Sequence, residues 1–358
     1  MSDVAQLLVP ALRWDSATGF DGERARIEQA LAMGVGGFIL FGGEQEVVRA
    51  LTKSLQLRSR VPLLIGSDME RGAGQQFSGA TALPPLAAIA SLGDADLVRR
   101  AGRLTAREAR TLGVNWDYAP VCDLDVVPEN PIVGTRSLGS DPAVVAKLAA
   151  EWVDACQAEG VLACAKHFPG HGRTTVDSHA ALPVVTATAE TLHNADLLPF
   201  RATIDAGVAS IMTAHILIPA LDAERPGTLS PTIVDGLLKQ KLGYKGLVLS
   251  DDLEMKAISG RYGHSEATVQ AIAAGCDAVL MCEPAPEKQM EALEAVIYAV
   301  EKGRIPTKRI EDALARHRRV KERFLAPPRP KAQTGAGLRA ILGRDEHQAV
   351  AAEMARFA

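Results

Sequence analysis

Eight short apolar runs, nearly every pair separated by a stretch of helical periodicity, constrain this chain more than any other feature. They lie at 6–10, 36–41, 61–65, 113–118, 160–165, 209–215, 246–252 and 278–281. Helical spacing marks 21–33, 44–58, 97–112, 142–159, 189–206, 231–242, 264–274, 287–302 and 307–324. A short continuous apolar run reads as a strand buried on both faces, and such strands alternating with helices read as βα units of a parallel sheet. Eight units in ~320 residues argue for an α/β chain folded as a (β/α)8 TIM-type barrel rather than an open sheet. A dinucleotide-binding sheet is disfavoured because no Gly-x-Gly-x-x-Gly follows the first run.

Polar residues collect at the expected C-terminal ends of these strands: Asp68, Asp117 and Asp123, Lys166 and His167, His215, and Asp251. The expected strand starts carry Gly, Ala, Pro or Val instead. Active sites of such barrels are built on the C-terminal face, so the asymmetry marks a mouth with chemistry in it. The densest segment is 163–179, ACAKHFPGHGRTTVDSH, which holds three histidines, a lysine and an aspartate. Pro169, Gly170 and Gly172 forbid helix there and imply a shaped loop. His167 and His171 have the i, i+4 spacing of a helical metal pair, but Pro169 and Gly170 lie between them and no His-Glu-x-x-His is present.

Composition narrows the ligand. A net charge of −4 gives no electrostatic case for nucleic acid or an anionic membrane. Aromatic residues are only 4%, too few for the row of stacking platforms that grips a long polysaccharide, which favours a small ligand. Five cysteines without framework spacing read as buried thiols in a reducing compartment. No signal-peptide pattern or apolar span is visible, so a cytoplasmic location is expected.

Carboxylates and a histidine facing one mouth can break a glycosidic bond: one carboxylate attacks the anomeric carbon while a proton donor assists the leaving oxygen. Asp251, fixed at a strand end, suits the nucleophile, which needs a rigid mount. His179 suits the proton shuttle, with Asp177 two residues earlier to orient its ring, and a loop mount would let it swing in after the sugar binds.

The run Lys166-His167-Phe168-Pro169-Gly170-His171-Gly172, followed by Asp177-Ser178-His179, resembles the signature of glycoside hydrolase family 3. More narrowly it resembles the single-domain β-N-acetylhexosaminidases of bacterial cell-wall recycling. Ala119-Pro120-Val121 with Asp123, Asn130-Pro131, Gly134-Thr135-Arg136-Ser137-Leu138-Gly139 and Ser250-Asp251-Asp252-Leu253-Glu254-Met255 extend the likeness over roughly 1–325. The resemblance implies a barrel that is often irregular in its first strands. It implies a retaining, exo-acting hydrolase that removes a terminal β-linked N-acetylhexosamine, foremost N-acetylglucosamine, through a glycosyl-aspartate. It puts the nucleophile on Asp251, the acid/base pair on Asp177 and His179, and sugar contacts on Asp68, Arg136, Lys166 and His167, with Asp68 accepting from two of the cations. No metal or organic cofactor is implied, and the partner is a small glycoside bound by a monomer or weak oligomer. A β-glucosidase or a phosphate-dependent β-N-acetylglucosaminide phosphorylase of the same family is the alternative. A sugar-binding barrel with a decayed site is disfavoured, since the nucleophile and the acid/base are both present.

Two features depart from the family pattern. Gln76 stands where relatives often carry a sugar-binding arginine, and Arg71 is a nearby cation at a different position. Beyond the catalytic unit at 1–325, residues 326–335 read as a Pro-rich linker and 336–358 as a helical tail resembling the first helix of a second domain.

Overall fold

The computed structural model describes residues 3–283, 285–325 and 335–357, so most of the linker expected at 326–335 lies outside the described residues. Eight parallel strands form one sheet: β1 (Leu8–Arg13), β2 (Gly37–Phe41), β3 (Leu64–Ser67), β4 (Trp116–Asp117), β5 (Leu162–Phe168), β6 (Ser210–Thr213), β7 (Leu247–Leu249) and β8 (Val279–Met281). Their order is β7-β6-β5-β4-β3-β2-β1-β8, and a parallel bridge between Leu249 and Ala278 joins the two end strands. The ring is therefore the (β/α)8 barrel that the alternating runs imply. Its outer helices include α1 (Arg24–Met33), α2 (Gln45–Arg58), α3 (Ala95–Leu112), α4 (Pro142–Ala158), α5 (Leu198–Asp205), α6 (Thr232–Lys241, π-wound), α7 (His264–Ala274) and α8 (Pro286–Glu301). No helix among the described residues is long and apolar enough to cross a membrane.

The period of two along each strand decides what faces the barrel axis. Val9 and Ala11, Ile39, Leu64, Trp116 and Tyr118, Leu162 and Cys164, Met212, Leu247 and Leu249, and Ala278 and Leu280 fill one buried interior cluster. A helix after the barrel, α9 (Thr307–Leu325), contributes Val320 and Phe324 to that cluster. Gly66 is forced by this packing, because a Cβ there would lie 2.5 Å from the Tyr118 ring. Continuing the same alternation outward by one step gives Arg13, Asp68, Lys166 and Asp251. These four sit above a packed apolar floor because of strand parity.

Several strand ends differ from the apolar runs. The first strand extends to Arg13 and the third runs 64–67, beyond the point where hydrophobicity stops. The fourth is only two residues long. The fifth continues through Phe168, so Lys166 and His167 belong to the strand and not to the loop after it. A register shift against β6 between Ala165 and Phe168 accompanies that extension. Asp117 also departs from expectation. Its neighbours Trp116 and Tyr118 point inward, so it points outward, buried, with Trp152 Nε1 at 3.3 Å from its Oδ2.

The tail is packed onto the barrel. Helix α10 (Asp345–Ala355) and the turn before it place Leu338, Leu342, Val350 and Met354 in the main core cluster. The buried Glu108 carboxylate of α3 accepts from Gly343 N at 2.9 Å, pairs with His347 Nδ1 at 2.6 Å, and accepts from Thr81 N and Oγ1 at 2.6 and 2.8 Å. One side chain thus ties the tail to the loop between β3 and α3. Met354→Ala should lower stability by about 2–5 kcal/mol, the usual cost of truncating a buried methionine. Urea unfolding should show a single, earlier transition. An unchanged midpoint would mean that the tail does not share the barrel's core.

Candidate active site

The C-terminal mouth holds a cavity of about 620 Å³. Its walls include Asp68, Arg136, Lys166, His167, His179 and Asp251, six of the seven residues expected at the site. The seventh, Asp177, is bonded to His179.

At the centre is a chain of ion pairs. Lys166 Nζ lies 2.7 Å from Asp68 Oδ1 and 2.7 Å from Glu70 Oε1. Arg136 clamps Glu70 with two hydrogen bonds, Nε to Oε2 at 2.9 Å and an Nη to Oε1 at 2.6 Å. Lys166 and Glu70 side chains are only 1% and 4% exposed. Burial alone would discharge Lys166, but Asp68 and Glu70 outweigh it and hold the ammonium above the ordinary lysine value. Burial likewise works against the Glu70 carboxylate, and Lys166 and Arg136 overcome it and depress its pKa far below the usual range. Asp68 was expected to accept from two cations. Among the described residues it takes only Lys166, and Glu70 is the acceptor shared by two. Glu70 lies in the Asp-x-Glu spacing after β3, which was the available signal for it.

His167 is fixed by Asp123. That buried carboxylate receives His167 Nδ1 at 2.7 Å, His167 N at 3.2 Å and His171 N at 2.6 Å. Burial raises the Asp123 pKa, and the charge and hydrogen bonds of His167 more than reverse the effect. Nδ1 therefore carries the proton and Nε2 is left for the cavity. His171, which also lines the cavity, has both ring nitrogens engaged, Nδ1 with Thr174 Oγ1 at 2.8 Å and Nε2 with Ser178 Oγ at 3.2 Å. Asn130 staples the Arg136 loop to this one. Its Oδ1 accepts from Ile132 N and Val133 N, and its Nδ2 donates to the carbonyls of His171 and Gly172. A Cβ on Gly172 would lie 2.0 Å from the Leu124 carbonyl oxygen, so only glycine fits there.

Asp251 and Asp252 are adjacent carboxyls with opposite shifts. Burial raises Asp251, but His167, His215 and the Asp252 N–H at 2.8 Å together bring it below the ordinary aspartate value. Burial pushes Asp252 up to about 6, and its Oδ1 is turned to the N–H groups of Glu254 and Cys282. His215 is not part of the cavity wall. It is buried, with Nδ1 at 2.7 Å from Thr228 Oγ1 and Nε2 at 2.8 Å from the Asp252 carbonyl, so it braces the turn that follows β7.

His179 stands on the outer loop. Its side chain is 67% exposed and that of Asp177 is 36% exposed. One oxygen, Asp177 Oδ1, accepts from both His179 N and His179 Nδ1, each at 2.8 Å. Between them Ser178 is buried, and its carbonyl accepts from Ala257 N at 3.1 Å. The loop is thus pinned at its middle while the histidine ring faces solvent and cavity. Gln76 is held by Gly42 N on its Oε1 at 3.1 Å, and Arg71 lines the same cavity. Arg13 was missed by the sequence reading. The inward parity of Val9 and Ala11 gives it away once β1 is carried to its true end.

A family model described as the glycosyl hydrolase family 3 N terminal domain matches residues 2–320. A β-N-acetylglucosaminidase/β-glucosidase of Cellulomonas fimi is 36% identical over 333 residues, covering 90% of this chain and 58% of that protein. A β-hexosaminidase of Thiobacillus denitrificans is 37% identical over 283 residues, covering 76% of this chain and 77% of that protein. A solved family 3 β-N-acetylglucosaminidase from Paenibacillus sp. str. FPU-7 superposes with a TM-score of 0.91 at 36% identity, over 99% of this chain and 68% of that one. The chain therefore spans little more than half of the first relative's length.

Glu70→Gln should lower stability at neutral pH by about 3–5 kcal/mol, because two cations lose a shared buried carboxylate. The Glu70 pKa is depressed in the folded state. Its contribution is therefore present above the ordinary value of 4.5 and is lost as the pH falls through the folded value. Denaturant midpoints of wild type and variant should converge as the pH is lowered. Identical midpoints at pH 7 would show that Glu70 does not hold this network.

Proposed function

The chain belongs to glycoside hydrolase family 3, and within that family we propose a retaining, exo-acting β-N-acetylhexosaminidase that removes a terminal β-linked N-acetylglucosamine. The observation that carries this reading is one cavity lined by an ionised Asp251, by His179 with Asp177 bonded to its ring, and by an Asp–Lys–Glu–Arg chain of ion pairs whose lysine and glutamate are buried. The names of the relatives support the choice of sugar.

In the first step an Asp251 oxygen attacks the anomeric carbon as the bond to the leaving oxygen breaks. His179 Nε2 gives that oxygen a proton. In the second step water loses a proton to His179 and attacks the same carbon, and the ester to Asp251 breaks. Two displacements retain the anomeric configuration. Asp177 acts by holding Nδ1–H, which leaves Nε2 to exchange the proton and stabilises the charged ring. The depressed pKa keeps Asp251 an anion at neutral pH, while Asp252 has its Oδ1 turned to the N–H groups of Glu254 and Cys282. Lys166, Arg136 and Asp68 are placed to bond sugar hydroxyls, and His167 has Nε2 free for the same purpose. We extend the proposal to a cytoplasmic role in recycling bacterial cell-wall fragments. The motif resemblance supports that setting, and the five free, buried cysteines are compatible with a reducing compartment.

A panel of nitrophenyl β-N-acetylglucosaminide, β-N-acetylgalactosaminide and β-glucoside, each with and without phosphate, tests the reading. The first should be turned over fastest and should release the free sugar. A preference for the glucoside, or a sugar phosphate as the sole product, would replace the reading with one of the family's other activities.

His179→Ala should slow glycosides with poor leaving groups by about 10²–10⁴-fold, the usual worth of general acid catalysis. Glycosides of nitrophenol should lose much less in the first step, since nitrophenolate leaves without a proton. Equal losses for both would remove His179 from the acid role. Lys166→Ala should lower kcat/KM by roughly ten- to a hundred-fold through lost charge-assisted hydrogen bonds. Unchanged kinetics would make Lys166 purely structural.

A further inference from the structure

Three lysines are buried among the described residues, Lys166, Lys239 and Lys321. The first two have a carboxylate oxygen 2.7 Å from the ammonium, from Asp68 and Asp277 respectively. Lys321 is 8% exposed, and its one hydrogen bond among the described residues is a long one, 3.4 Å, to Gln6 Oε1. The residues outside the described set include no Asp or Glu, so no side chain there supplies the missing charge. Burial pushes the Lys321 pKa down to about 8, which leaves it mostly an ammonium at neutral pH. A buried cation without a carboxylate is costly to hold.

Lys321 forms part of the wall of a cavity of about 320 Å³. Gln6 precedes β1, and Val61 and Pro62 precede β3, so this cavity lies at the N-terminal end of the barrel, opposite the mouth. Helix α9 supplies the rest of its surface. Val320 and Phe324 enter the interior cluster, while Leu314, Arg318, Lys321 and Leu325 recur at the spacing of one helical face and line the cavity. Its walls are apolar at Val61, Pro62, Leu314 and Leu325. Asp3, Arg318 and Glu322 are exposed at its edge and carry both signs. Asp3 Oδ1 accepts from Gln6 Nε2 at 3.2 Å, which leaves the Gln6 oxygen for Lys321. His317, one turn back on α9, is buried with its pKa pushed down to about 4, so it brings no second charge.

At ~30 Å³ for each non-hydrogen atom, the share of one water in the liquid, such a cavity holds roughly ten of them. The volume is at the small end of the range of small-molecule sites. An apolar chain of that size would cover the walls, and an anionic head would answer the ammonium.

We propose that this cavity binds a small amphipathic carboxylate, whose head group pairs with Lys321 and whose chain lies against Val61, Leu314 and Leu325. The site is separate from the mouth and does not rest on the glycosidase reading.

The probes are octanoate and 1-octanol, which share a chain and differ in the head group. Each is titrated calorimetrically into wild type, Lys321→Met and Lys321→Arg, with far-UV circular dichroism to check that the variants are folded. Octanoate should bind wild type about 10- to 100-fold more tightly than octanol, in the range of one charge-assisted hydrogen bond. Lys321→Met removes the charge and keeps an apolar side chain of similar length. It should lose the preference for octanoate and still bind octanol. Lys321→Arg should keep the preference. Octanoate binding that is absent through the millimolar range, no tighter than octanol binding, or unchanged in Lys321→Met would overturn the proposal. That outcome would leave the glycosidase reading intact, and failure of the glycosidase assays would leave this site standing.

Discussion

The mouth of this barrel depends on one buried ammonium. Lys166 ends up 1% exposed because the alternation of β5 points it down the barrel axis, above Cys164 and Leu162. An isolated charge there would be lost to desolvation. Two carboxylates at 2.7 Å keep it charged, and both come from the segment after β3. Glu70 in turn holds Arg136, which arrives on the long excursion between β4 and α4. Three separate parts of the chain are thus locked in register by one set of charges, and the proposed sugar pocket is organised before anything binds. Glu108 does related work behind the same β3 loop, tying Thr81 to the tail.

A second division follows from rigidity. Asp251 is carried at the end of a strand and braced through the Asp252 carbonyl by His215, so the proposed attacking group is fixed. The proposed acid/base pair is carried on a loop that is pinned at Ser178 but presents a largely exposed histidine. A fixed nucleophile and a looser proton donor suit a reaction in which the leaving group must first enter the cavity. The two adjacent aspartates are told apart by surroundings alone. Nearby histidines and a backbone N–H favour the ionised form of one, and burial disfavours it in the other.

The barrel was legible from the eight apolar runs, because a strand buried on both faces leaves an unbroken apolar mark. Strand ends were not, because the last turn toward the mouth is polar. Arg13 and the pair Lys166–His167 are strand residues that line the cavity, and hydrophobicity stops short of them. Parity was the missing step. It separates Asp68, Lys166 and Asp251, which point inward, from Asp117, which points out against Trp152. Six of the seven expected site residues line one cavity because each sits near the end of a strand or in the motif that follows it. Glu70 carries a spacing signal, the Asp-x-Glu run after β3, but its part in holding two other residues shows only once the fold brings Lys166 and Arg136 to it. The tail's place against α3 was also hidden, since the pairing of Glu108 with His347 spans most of the chain.

The central claim is that Asp251 attacks the sugar. It is tested most directly with a fluorinated N-acetylglucosamine donor, whose adduct forms faster than it breaks down. The labelled protein would be digested and the modified peptide sequenced by mass spectrometry. The account predicts one sugar per chain, joined as an ester to Asp251 and absent from Asp251→Asn. A label on Asp252 or on any other residue would contradict it.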